Sequence, residues 1–504
     1  MSILIRGATI LAMGGPNGRE PFPGDVHIVG DRIEAIGPHL EAVEADTVID
    51  GRDRLVMPGL SNGHLHSSEA LLKGRYDNMP LELWMLFSYP ILGSSSLDAR
   101  LIYLRTMLVA MESLRTGVTS VSDDVYEAPR QDIDRMDAVF QAYRDIGMRA
   151  TVSGHVIDRT FLDSIPFARE VVPADLQREV DALPGAKAED YLAFARIALQ
   201  RYHNLDGRLR FMMAPSAPQR CTPELMHAVD ALARQYRTPF HTHIVETKVQ
   251  AVTGPQLYGK SLVRYMSDLG LLHEGVAIAH SIWVTDEDIE IMGDAGVSII
   301  HNVISNQKLG AGIAPIRKLL KAGVNVALGS DGICSNDTPR MFDVMHAAGL
   351  LHNVSTPDYG RWLDAGEVLH AATVGGAKSA LIDHEVGSLE AGKKADLLIL
   401  DMRTIAFTPL NDIKNHLVYC ENGSSIETVI VNGVIVVDDG ELTRVDEPAI
   451  LAELRALMPE FLAKHRVVED LNRRFVPYFA EIHRRCNDMD VGVHRLGTDA
   501  AWVS

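Results

Sequence analysis

Cysteine is scarce. Only Cys221, Cys334, Cys420 and Cys486 occur in 504 residues, far apart and with no Cys-x-x-Cys pair. Neither a disulfide framework nor a sulfur-ligated zinc site is suggested, and a reducing cytoplasm suits such a chain. Long apolar runs are missing too. No stretch approaches the roughly 20 residues that a membrane helix needs, and the opening Met-Ser-Ile-Leu-Ile-Arg-Gly-Ala reads as a first β-strand rather than a signal peptide. Positive charge is also short: 48 Lys and Arg stand against 67 Asp and Glu, a formal net charge of −19. With no basic run to offset it, that field repels phosphate backbones and anionic lipid, so neither nucleic acid nor a membrane is expected as a partner.

What is present is ordinary for a globular protein, 46% apolar and 23% charged. Length alone would allow about three domains, but barrel enzymes run past 250 residues as one unit. From Ile3 to Arg54, short β-branched runs broken by Gly, Pro and Asp predict an antiparallel β-module. From Leu55 to Ile382, apolar runs of four to eight residues alternate with helical stretches, the rhythm of βα units around a parallel sheet. The candidate strands are Leu60–His66, Val118–Val125, Ala150–Val156, Leu209–Ser216, Pro239–His243, Val276–His280, Val297–His301 and Val324–Asp331. Eight strands suit a closed (β/α)8 TIM barrel of the α/β class.

After the barrel, "VGSLEAGKKADLLILD" and "IETVIVNGVIVVDDGEL" return to short strands with Gly and Asn-Gly turns. We therefore expect residues 1–57 and 385–445 to form one small composite β-sandwich domain around a barrel of residues 58–384. Residues 446–504 form a C-terminal extension, helical to about Ala480, that reads as a packing or subunit-contact arm. The long segment from Arg159 to Asp206, between strands three and four, is expected to be helical and could lid a pocket.

His64-Leu-His66 stands at the end of a predicted strand, where period-two geometry sends both imidazoles to the barrel axis. Alone, the pair would read equally as two core histidines. Company changes that: His243, His280 and Asp331 also close predicted strands, at the C-terminal ends where barrel enzymes build their sites. Polar groups at those places each cost free energy if buried unpaired, whereas a metal and its water satisfy them together.

The segments "PGLSNGHLH", "HTHIVET", "AHSIWVTDEDIEIM", "IIHNVISNQKLGAGIAPI" and "LGSDGICSND" resemble successive barrel motifs of the amidohydrolase superfamily. More narrowly, they resemble its cytosine deaminase-like branch, with guanine deaminases, adenosylhomocysteine/methylthioadenosine deaminases and s-triazine hydrolases. The resemblance implies His64, His66, His243 and Asp331 as metal ligands and His280 beside the attacking water. It also makes Glu246, in His-x-x-Glu spacing after His243, the proton shuttle. Three imidazoles and one carboxylate suit Zn2+, with Fe2+ as an alternative. Binuclear relatives carry a bridging lysine or acid near the end of strand four, where this chain has Ala214-Pro215-Ser216, so one divalent ion is expected. The family habit and the C-terminal arm imply a homodimer or larger assembly.

Four further residues are candidate substrate contacts. Trp84, in "DNMPLELWM", could stack on a heterocycle or be structural. His155 ends strand three, Gln219 follows strand four beside Arg220, and His301 ends strand seven as either a substrate contact or a loop cap. His241 is expected one layer deeper, in the core or behind the ligands. Three positions depart from the nucleoside-type deaminases: Leu92 in place of a ribose-facing acid, Gly154-His155 in place of an arginine, and Ser216 in place of a histidine. The reading is hydrolysis of a C–N bond, with deamination of an amino-substituted N-heterocycle other than adenosylhomocysteine preferred. Hydrolysis of an amide, urea or cyclic amidine is the alternative, and a metal-free structural paralogue is a remote one, disfavoured because every ligand is present.

Overall fold

Eight parallel strands follow one another around a single sheet: Leu60–His66, Val118–Val125, Arg149–Val156, Leu209–Pro215, Phe240–Ile244, Val276–His280, Ser298–His301 and Asn325–Leu328. The two-residue segment Asp331–Gly332 then pairs with Leu65 and His66 of strand one and closes the ring. In this computed structural model, residues 2–41, 43–94, 96–128 and 131–496 are described. Residues 497–504, the end of the C-terminal extension, lie outside the described residues.

The chain is thus a (β/α)8 barrel. Strands two and three are buried along their whole length because side chains fill the barrel on one face and helices cover the other. Those helices have sequence-encoded ends. Asp98 accepts the Leu101 N–H at the start of Ala99–Arg115, and Asp132 accepts that of Arg135 at the start of Ile133–Ile146. Gly147, left-handed at φ 86°, stops the second helix and turns the chain into strand three.

Strand eight differs from the unbroken Val324–Asp331 that its pattern predicts. Pairing lapses at Gly329–Ser330, where a Cβ on Gly329 would lie 2.5 Å from Asn302 Oδ1 and 3.0 Å from the His64 carbonyl. The backbone swings through this crowded point, and Asp331 takes φ +66°. Val245, His280 and Ser281 are also left-handed, at φ 47°, 75° and 51°. Such strain, costliest for β-branched Val245, is tolerated where surrounding packing fixes it, and here it gathers at the ends of strands five, six and eight.

A second, nine-stranded sheet joins the two ends of the chain. Arg54–Pro58 pairs antiparallel with Leu397–Asp401, so the strand entering the barrel is bonded to the C-terminal half. The N-terminal module is mixed rather than antiparallel: Ser2–Ile10 runs parallel to both Thr47–Asp50 and Arg54–Pro58, because the chain crosses back after Gly37 before re-entering the sheet. Arg149, buried at the base of strand three, donates to Asp396 at 2.7 and 3.0 Å and to Asn432 at 3.3 Å, tying barrel to β-domain.

The C-terminal helices Glu447–Asn472 and Val476–Asn487 pack on the chain's own barrel mouth. Asn472 accepts the Leu92 N–H at 3.0 Å and donates to the Leu92 carbonyl at 2.7 Å. Arg75 donates to Glu469 through two nitrogens at 2.7 Å each. The extension therefore braces the segment carrying Trp84. The segment between strands three and four divides: Tyr191 of helix Ala188–Tyr202 donates to the Gly154 carbonyl at 2.7 Å, as a covering helix does. Its earlier half meets the C-terminal helices, with Phe161 stacked on Phe479 at 5.8 Å and Arg474 bonded to Glu179 at 2.6 Å. No helix among the described residues is long and apolar enough to cross a membrane.

Candidate active site

His64 and His66 leave strand one toward the barrel axis, as alternation requires, and meet His243 from strand five and Asp331 from the closing segment. His64 Nε2 lies 3.3 Å and His66 Nε2 3.5 Å from Asp331 Oδ1. The ring centroids of His64 and His243 are 4.9 Å apart. Two overlapping groups, His64–His66–His243 and His64–His280–Asp331, each bring one donor atom per residue within 4.8 Å of one another. All five residues are buried.

The far side of each imidazole is occupied. His66 Nδ1 bonds the Asp124 carbonyl at 2.7 Å, and His243 Nδ1 bonds the Ser216 carbonyl at 2.8 Å. A carbonyl only accepts, so both Nδ1 atoms carry the proton and both Nε2 atoms offer a lone pair inward. His64 Nδ1 meets His241 Nε2 at 2.7 Å, with the two rings stacked at 4.8 Å. His64 Nε2 is a buried nitrogen with no hydrogen-bond partner. Burial pushes His64 down to about 4 and His241 to about 3, so both are neutral, as ligation requires. At His66 burial also opposes the charged form, but Glu69, Asp124 and Asp331 outweigh it and raise the pKa to about 9 in the ion-free protein, so ligation there would displace a proton from Nε2. These donors fit a divalent ion: inward lone pairs, one orphaned nitrogen and one carboxylate, with outer partners already in place.

Glu246 stands two residues beyond strand five and is buried. Its Oε2 lies 3.7 Å from His280 Nε2, which lies 3.9 Å from Asp331 Oδ2. Burial raises the Glu246 carboxyl to about 7, against the pull of His280. His280 Nδ1 is held by Asn306 Oδ1 at 2.9 Å, and Asp331 Oδ2 accepts from the Ser305 hydroxyl. A carboxyl poised near neutrality beside an imidazole is equipped to give and take protons.

This geometry has company among known proteins. Residues 55–436 match the family model described as the amidohydrolase family. A 5'-deoxyadenosine deaminase from Methanosarcina barkeri is 34% identical over 465 residues, 92% of this chain and 99% of that protein. The chain belongs to the amidohydrolase family. A 5-methylthioadenosine/S-adenosylhomocysteine deaminase from Pelotomaculum thermopropionicum is 35% identical, covering 90% of this chain and 97% of the relative. Among solved amidohydrolase-like structures, an atrazine chlorohydrolase from Arthrobacter aurescens complexed with zinc superposes with TM-score 0.82 at 26% identity, covering 91% of this chain and all of that one. An adenosine deaminase from Xanthomonas campestris with bound zinc gives TM-score 0.80 at 26% identity, covering 92% and 98%.

Beside the imidazoles this amidohydrolase has an aromatic wall. Tyr89 lies 5.8 Å from Trp84 and 5.3 Å from Tyr126, Tyr126 lies 5.7 Å from His155, and His155 lies 6.0 Å from His243. Asp124 joins the wall to the histidine group, accepting His155 Nδ1 at 2.8 Å through its carboxylate while its carbonyl holds His66. Gln219 is buried beside Arg220, and its Oε1 has no partner, nor has Trp84 Nε1. His301 is fully buried, with Nε2 facing His352 Nε2 at 3.1 Å. The Leu92 side chain is buried and its backbone is taken by Asn472.

Sequence reasoning passed over Tyr89, Tyr126 and the acids Glu69, Glu82 and Asp124. Glu69 accepts from Tyr89 at 2.6 Å and from the Cys334 N–H at 3.1 Å. It presses so close to the closing segment that a Cβ on Gly332 would sit 2.0 Å from its Oε2. The only advance signal was an acid three residues past His66, in a stretch otherwise rich in small and apolar residues.

Proposed function

We propose that this amidohydrolase is a deaminase of an amino-substituted N-heterocycle, holding one divalent ion, zinc in preference to iron(II), on His64, His66, His243 and Asp331. The observation that carries the reading is Glu246, buried at 3.7 Å from His280 and raised to about 7. When bound, the ion supplies a Lewis acid that lowers the pKa of a water toward neutrality. Asp331, whose carboxyl is held well below the usual range because His280, His64 and His66 outweigh the penalty of burial, accepts the proton that water gives up. His280, with Nδ1–H fixed on Asn306, takes up and returns protons at Nε2 between Asp331 and Glu246. Glu246 protonates a ring nitrogen at Oε2 and then the departing amine. Trp84 and His155 bound the ring, with Gln219 and His301 as polar contacts behind them.

Several observations support the finer points. Ala214-Pro215-Ser216 offers no bridging group for a second ion. Leu92, Gly154-His155 and Ser216 stand where adenosylhomocysteine deaminases resembling this chain have polar contacts, which supports a different substrate. Exposed Leu350, Val354 and Tyr359 suit a contact between copies, in line with a homodimer or larger assembly. Four free cysteines, three of them buried, suit the cytoplasm.

The test is ammonia release from aminated purines, pterins, pyrimidines and s-triazines. Glu246→Gln is expected to lower kcat by ~10²–10⁴-fold while the metal content stays at one equivalent. If the wild type yields only ring-opened or alkylamine products, the deaminase reading fails.

A further inference from the structure

We infer that the heterocycle this site accepts carries one carboxylate, and that Arg220 receives it. The inference rests on the deaminase reading for the reaction and on separate observations for the charge. Arg220 lies four residues beyond Ser216, whose carbonyl holds His243. Its side chain is half-buried at the barrel mouth, with Glu246, Glu82 and Tyr89 as charged or polar neighbours. Yet no carboxylate among the described residues comes within 4.0 Å, so it has no ion pair. Its protein contacts are the Ser216 hydroxyl at 3.3 Å and the Met85 sulfur at 3.3 Å, both weak.

Buried Arg105 pairs with Glu127 and buried Arg149 with Asp396, and half-buried Arg210 pairs with Glu385. A guanidinium is a planar fork of five donors shaped for a carboxylate, and holding it partly out of water with no carboxylate in contact leaves most of those donors unused. Burial indeed depresses the Arg220 pKa, with Glu246 and Glu82 offsetting only part of the penalty. Two more polar atoms nearby are buried and unpartnered, Gln219 Oε1 and Trp84 Nε1. Trp84 Nε1 is a donor that suits an acceptor on the ligand, and Gln219 Oε1 is an acceptor that suits a ring N–H or amine, so a ligand carrying both kinds of group satisfies them. The charge is limited to one unit: Glu82 and Glu246 face the same guanidinium, so a phosphate dianion would meet two carboxylates with one cation between them.

The experiment compares matched substrates, each aminated heterocycle as its carboxylate and as its carboxamide, for example pterin-6-carboxylate with pterin-6-carboxamide and cytosine-5-carboxylate with its amide. The expected kcat/KM ratio, carboxylate over carboxamide, is ~10²-fold or more, since a site built for one hydrogen-bonding group rejects the analogue lacking it. In Arg220→Gln that ratio is expected to fall to within about threefold of unity, and Arg220→Lys to recover part of it by restoring charge without the fork. Binding is read independently by the melting temperature: the deaminated carboxylate product should raise that of wild type and not that of Arg220→Gln. This arm still decides the matter if no ammonia is released at all, which would sink the deaminase reading alone. In ligand-free protein, Arg220→Met is expected to keep or raise the melting temperature, because it removes a half-buried cation that no carboxylate contacts.

The inference is overturned if wild type prefers the carboxamides, or if nucleoside monophosphates outrank the carboxylates. It is overturned as well if Arg220→Gln lowers both members of each pair equally with a shifted pH profile, since Arg220 would then act through Glu246. Failure of Arg220→Met to fold would assign the residue a structural role and overturn it too.

Discussion

Replacing His241 by Phe tests the metal reading at a residue that would not itself touch the ion. His241 is buried, its ring stacks on that of His64 at 4.8 Å, and its Nε2 lies 2.7 Å from His64 Nδ1. If His64 Nε2 ligates, Nδ1 must carry the proton and donate it to His241. Phenylalanine keeps the ring and the stack but deletes the acceptor, which strands a buried N–H at about 1–3 kcal/mol. Loss of such an outer partner weakens metal affinity by about 10–100-fold, or ~1.4–2.7 kcal/mol, so two independent routes agree.

The metal-free protein should feel the change less. Without an ion, the His64 proton can move to Nε2, which faces Asp331 Oδ1 at 3.3 Å, so no N–H is left stranded. Competition with a chelator of known affinity measures the first quantity, and thermal unfolding of apo and metal-loaded protein measures the second. A metal affinity within twofold of wild type, or an apo protein destabilised as much as the loaded one, would refute the assignment of His64 as a ligand held through His241.

Two further predictions concern the frame around the site. Arg149→Met should destabilise by ~3–5 kcal/mol in urea unfolding, because Asp396 is left buried and unpaired, while adding Asp396→Leu should recover most of the loss. Acid should loosen the C-terminal extension through Glu469: burial opposes its charge, but hydrogen bonds from Arg75 and Tyr76 outweigh that and hold its pKa below the usual value. A depressed folded pKa gives stability that is complete above the unfolded value near ~4.3 and is lost as pH falls through the folded one. Limited proteolysis around residues 447–472 across that range, compared with Glu469→Gln, reads the effect; an unchanged acid dependence in the variant would remove Glu469 from the account.

Which parts were legible in the sequence follows from the length scale of the interactions involved. Val118–Val125 and Val276–His280 form where their β-branched runs predict, because a barrel strand buried on both faces needs an unbroken apolar run. His64 and His66 meet because alternation along one strand fixes their direction, and His243, His280 and Asp331 join them because parallel strands end at the same rim. Local rules suffice for all of these.

The rest depends on contacts that no local pattern encodes. His241 meets His64 across 177 residues of sequence, and Asn472 holds Leu92 across 380. The left-handed backbone at Val245 is set by what packs around it, not by residue type, since a β-branched residue disfavours it. Tyr89 and Tyr126 lie in connecting segments whose paths come from tertiary packing, so their place in the wall has no sequence signature. The division is also functional. Residues proposed to hold the ion sit at strand ends, where one strand's geometry repeats another's, whereas Trp84 sits on the short helix Leu81–Ser88, which packs against the C-terminal helices, and Gln219 and Arg220 sit on the loop after strand four. The proposed reaction chemistry is therefore readable from spacing, whereas the proposed substrate contact at Arg220 rests on a missing ion pair that becomes visible only when the whole mouth is assembled.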